Sequence, residues 1–104
     1  MADAGSGTPV LDLLVSMTAE SVIASSLDEQ SLMLARLAAL AAVDAPPISY
    51  RVNLGAAADT GLDAEAVRGV LAAIAPIIGT PRVAAAMGNI VEALAIELEG
   101  APQG

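Results

Sequence analysis

The sequence predicts an all-α fold, a small bundle of about five or six helices, on three observations. Apolar residues recur at helical spacing, and no stretch of useful length alternates apolar and polar residues as a half-buried strand would. Caps and stops punctuate the chain at helix-length intervals. Alanine supplies 24 of the 104 residues and Tyr50 is the one aromatic, so the helices are thin and their backbones can approach closely.

Residues 1–8 are small and polar and read as a disordered tail, residues 9–99 as a single helical domain, and residues 100–104 as a second tail. Thr8-Pro9 offers an N-cap and a proline at the first helical position. Val10, Leu11, Leu14, Val15 and Met17 form the apolar stripe of the helix that follows, and Thr18 starts a second short turn through Val22 and Ile23. Ser26 with Glu29 has the pattern of a capping box and opens EQSLMLARLAALAAV, apolar nearly all round with Arg36 as its interior charge. Asp44-Ala-Pro-Pro stops that helix, since the residue before a proline is biased away from helical angles. A third helix is expected from Ile48 to about Asp59, closed by Gly61. Asp63 caps the next, from Ala64 to about Ile77, with Pro76 kinking or ending it and Gly79 closing it. The last helix is expected from Pro81 to about Leu98, its final turn frayed because Glu97 and Glu99 oppose the macrodipole.

Composition bounds the function classes. The AVILMFWYC set makes up 56% of the chain, oily for so small a domain, so part of the apolar surface is expected to lie between subunits of a homo-oligomer. The longest uncharged run, Gly69 to Pro81, is shorter than the roughly 20 residues of a spanning helix and contains Pro76 and Gly79. The start MADAGSGTPV has no positive n-region, so the expected location is cytoplasmic. Twelve carboxylates against four Lys and Arg give a net charge of −8, which repels phosphate backbones and anionic lipid and argues against nucleic-acid and membrane partners. Without cysteine or histidine there is no disulfide, no thiol chemistry and no soft metal site, and no Asp-rich calcium loop is present. No metal or cofactor is therefore expected.

Two stretches carry a family resemblance: LDEQSLMLARLAALAAV, then NLGAAADTGLDAEAVRGVLAAIAPIIGTPRVAAAMGNIVEAL. The gapless part comprises Ala56-Ala57, Gly61-Leu-Asp with Glu65, Val70-Leu71, Ala75, Gly79 and Pro81. Together these resemble the carboxymuconolactone decarboxylase and alkylhydroperoxidase D-like superfamily, over Leu27 to Leu98. The resemblance implies a helical subunit of a ring-type oligomer, a homo-trimer or hexamer. Many such proteins are thiol peroxidases or disulfide reductases with Cys-x-x-Cys, a histidine four residues on, and a glutamate on the preceding helix. The lactone decarboxylases keep the histidine alone. Aligned on the gapless half, the histidine position falls on Asn53 and the cysteines on Ser49 and Pro46. An alternative register places them on Val52, Ile48 and Ala45, and the glutamate falls on Met33. Neither register supplies a thiol, an imidazole or a carboxylate, so the thiol cycle is absent.

The expectation is a degenerate, non-thiol relative acting as a homo-oligomeric binding or structural module, without peroxidase activity. Its ancestral cleft would be lined by Met33, Ile48, Ser49, Val52 and Asn53 and hold a small apolar or carboxylate ligand, or a protein partner. The alternatives are an enzyme of the lactone decarboxylase type acting on a small carboxylate or lactone, or a retained peroxidase-like activity. Arg36, Ser49, Tyr50, Arg51 and Asn53 are the weak catalytic candidates. Each also has a structural reading: Ser49 capping a helix or facing solvent, Tyr50 and Arg51 covering surface, Asn53 bonding backbone. Arg36 would pair with an Asp or Glu of another helix or subunit, or else line a pocket as an anion-binding arginine.

Overall fold

Thr8-Pro9 does open a helix. In the computed structural model, which describes residues 7–55, 62–95 and 98, α1 runs over Pro9–Ala24 without a break at Thr18. The Thr18 hydroxyl donates to the Leu14 carbonyl at 2.9 Å, a back-bond to the preceding turn that lets threonine stay inside a helix. α2 is Glu29–Ala42, and its cap is Asp28 rather than Ser26. The Asp28 carboxylate accepts from the Ser31 N–H at 2.7 Å and from the Ser31 hydroxyl at 3.1 Å. α3 is Pro47–Leu54, shorter than expected. It stops at Gly55, where φ is +66°, a left-handed angle that glycine adopts at little cost. The Gly61 stop lies outside the described residues, as do residues 1–6 and 100–104 of the two expected tails.

α4 is Ala64–Ile78, capped by Asp63, whose carboxylate accepts from the Ala66 N–H at 2.8 Å. Pro76 sits inside its last turn without ending it, and Gly79 closes it at φ +90°. α5 is Thr80–Leu94, ending earlier than expected with Ala95 in the left-handed region. Glu97 and Glu99, on which the expected fraying rests, lie outside the described residues. Among the described residues there are five helices and no strand, and no helix is long and apolar enough to cross a membrane.

The core forms where α2, α3, α4 and α5 meet, with α3 on α5 and α2 on α4 as the main pairings. Leu37 and Ala41 of α2, Tyr50 and Leu54 of α3, Val67 of α4 and Ile90 of α5 are all essentially inaccessible. Arg82 of α5 donates to the Ala42 carbonyl at 2.7 Å, satisfying one of the orphan acceptors at the end of α2. Asn89 similarly donates to the Ala45 carbonyl at 3.2 Å.

α1 stands apart from this core. None of its residues is buried, and it packs mainly on α3. Eight large apolar side chains along it remain exposed, from 43% at Leu14 to 85% at Ile23.

Candidate functional site

A cleft of about 340 Å³ lies between α1, α2 and α3. Its geometry follows from helical spacing. Leu11, Leu14, Thr18 and Ser21 fall three or four residues apart, so one face of α1 presents all four to the cleft. Met17 joins them from the edge of that face, α3 contributes Ile48, Ser49, Val52 and Asn53, and α2 contributes Arg36. The cleft is not closed, since Leu11 and Leu14 remain 51% and 43% exposed.

Arg36 is half-buried and holds the three helices together. Its Nη1 donates to the Asn53 carbonyl at 2.8 Å and its Nη2 to the Thr18 carbonyl at 2.9 Å. Nη2 also donates to the Ser21 hydroxyl. The Asn53 side chain completes the junction: its Nδ2 donates to the Ser49 carbonyl at 2.9 Å, and its Oδ1 accepts from the Thr18 hydroxyl at 3.3 Å. The partner expected for Arg36 was an Asp or Glu of another helix or subunit, and no described carboxylate of the subunit takes that place. Among the described residues the guanidinium meets neutral oxygens, while the ion pair there joins Arg51 to Glu92. Three of its five N–H groups are thereby used, and among the described residues no carboxylate lies within ion-pair distance of it.

The remaining sequence candidates separate. Ile48, Ser49, Val52 and Asn53 line the cleft together with Arg36. Met33 does not; it is 8% exposed and packs in the core. Arg51 is exposed and lies 4.0 Å from Glu92, a solvated pair of little energetic weight. Tyr50 is wholly buried rather than covering a surface, and its hydroxyl has no hydrogen-bond partner among the described residues. Burial, with a smaller contribution from the charge of Asp44, pushes its pKa up to about 12, so it neither gives nor takes a proton near neutrality. Leu11, Leu14, Met17, Thr18 and Ser21, the whole contribution of α1, are the cleft residues that sequence reasoning missed. For Thr18 and Ser21 the signal was the spacing that continues the Leu11 and Leu14 face straight through the assumed break.

The chemistry this arrangement offers is binding. Arg36 supplies a donor-only guanidinium, and the other polar lining groups are hydroxyls and an amide. Among the described residues no carboxylate lines the cleft to accept a proton from Ser49, and the chain has no imidazole; an unassisted serine hydroxyl is a weak nucleophile. Among the described residues no group of three or more metal-ligating side chains comes together. Comparison with family models, with curated proteins and with solved structures finds no match for this chain.

Proposed function

We propose that this chain is a homo-oligomeric binding module, in which a second copy covers α1 and encloses the cleft beneath it. The observation that carries the reading is the exposure of α1. A helix apolar on nearly every side is ordinarily buried on most of them, yet α1 buries no residue within the subunit. Its eight exposed large side chains amount to roughly 800 Å² if each contributes on the order of 100 Å², which is one partner's share of a standard interface. A patch of that size exceeds the largest patch usual on a monomer, about 300–600 Å². The residues resembling the carboxymuconolactone decarboxylase-like superfamily support the same reading, because ring-type trimers or hexamers are the rule there. An enzyme of the lactone decarboxylase type draws no support from the cleft, which lacks a group able to exchange protons.

Sedimentation velocity tests the proposal. The wild-type chain should sediment as a trimer or larger at micromolar concentration. Leu13→Glu with Ile23→Glu, at positions 59% and 85% exposed, should give a folded monomer, since neither side chain lines the cleft or touches the core. A wild-type monomer at that concentration removes the interface from which the reading starts.

A further inference from the structure

We infer that the cleft binds a small monocarboxylate with an aliphatic body, its carboxylate held by Arg36 and its chain by the apolar walls. The inference rests on the reading of the cleft as a binding site and names the class of ligand it takes. Three features lead to it. Arg36 lines the cleft half-buried, with two N–H groups uncommitted and no carboxylate of the described residues within ion-pair distance. A guanidinium drawn out of water and facing neutral oxygens carries a charge that no described carboxylate offsets, and its free Nε–H or second Nη1–H can donate a single charge-assisted hydrogen bond to a carboxylate. The apolar lining is Leu11, Leu14, Met17, Ile48 and Val52, and Arg36 is the one cation among the lining residues. A dicarboxylate would leave its second charge without a partner there.

Size narrows the class. A 150 Å³ apolar cavity accommodates benzene, so by proportion 340 Å³ accommodates roughly a dozen non-hydrogen atoms. An eight-carbon chain with its carboxylate has about ten.

Calorimetric titration of the full-length protein with octanoate, and separately with 1-octanol, tests the inference. The two probes share an aliphatic body and differ in charge. Octanoate should bind about tenfold or more tightly, the preference expected of one charge-assisted hydrogen-bonded pair. Arg36→Met should abolish the preference, with octanol binding weakened as well, since α1 supplies part of the wall. Because Arg36 also fastens α1, Ile48→Glu serves as a second variant. Ile48 is 53% exposed, so glutamate is tolerated there, and it places a fixed carboxylate within the cleft that should exclude octanoate. Equal affinity for the two probes, octanoate binding undiminished in Ile48→Glu, or no octanoate uptake by protein that sediments as an oligomer, overturns the assignment. The last result would leave the association reading standing. Preferential octanoate binding by a monomer would uphold the ligand class while refuting the association.

Discussion

Tyr50 offers a quantitative test, because it is the one aromatic residue of the chain and its titration can be followed without assignment. The ring sits at 0% exposure among the side chains of the core, and its hydroxyl finds no acceptor among the described residues. Removing the phenolate from water, with Asp44 adding repulsion, moves the pKa from 10.0 to about 12. The folded state therefore holds the proton more tightly than the unfolded state. Stability from this group is complete below pH 10, is lost as pH rises from 10 towards 12, and amounts to on the order of 2–3 kcal/mol across that window. The phenolate absorbance of the native protein should accordingly appear only near pH 12 or with alkaline unfolding. Tyr50→Phe should remove the alkaline decline. It should also raise stability at neutral pH by about 1 kcal/mol, since it deletes a buried donor that has no partner; in a domain of this size that is a rise in Tm of about 4 °C or more. A native titration midpoint near 10, or a Phe variant destabilised at pH 7, would refute the burial argument. Either result would return Tyr50 to the set of groups able to do chemistry.

Two further outcomes follow from the same contacts. Arg36→Met breaks the three hydrogen bonds that tie α1 and α3 to α2. For a half-buried donor the docking of α1 should weaken by about 2–3 kcal/mol in total. α1 has 16 residues against 14, 8, 15 and 15 in the other helices, so up to about a quarter of the helical ellipticity should go with it. Amide exchange in α1 should accelerate while α2 and α4 stay protected, and unchanged protection in α1 would contradict the clamp. At the acid end, the Ser31 N–H, and then the Ser31 hydroxyl, hold the Asp28 carboxyl below its ordinary 3.8. Its support for α2 is therefore complete above that value and lost as pH falls through the lower, folded one. Asp28→Ala should flatten that part of the acid-unfolding curve, and an identical curve for the variant would show that the cap is not formed.

How much of this was legible in the sequence depended on where the deciding contact lay. Asp63 was identified as a cap because the contact is local, from its carboxylate to an N–H three residues on. Ser26 was read as the cap from its spacing to Glu29, but Asp28 precedes the same apolar run, and only the chain's path into α2 decides whose oxygen reaches Ser31. The third helix was drawn too long because Ala56 to Ala58 favour continuation. Gly55, already in a left-handed conformation, ends it before they begin.

The same distinction explains the cleft. Arg36 stood out in the sequence as a charge where its neighbours are apolar. The oxygens it meets within the subunit were not foreseen, because the search was for a side chain of opposite charge. Main-chain carbonyls of Thr18 and Asn53 accept instead, and every residue carries a carbonyl, so sequence cannot point to these two. Met33 went astray for the converse reason. The family alignment assigned it a functional position, but burial on α2 is set by which face meets α4 and α5, and Met33 shares that face with Leu37 and Ala41. A guanidinium satisfied by neutral oxygens retains its full charge. The contact that sequence could not supply is thus the one that leaves the cleft electrostatically incomplete, and a carboxylate brought by a ligand would complete it.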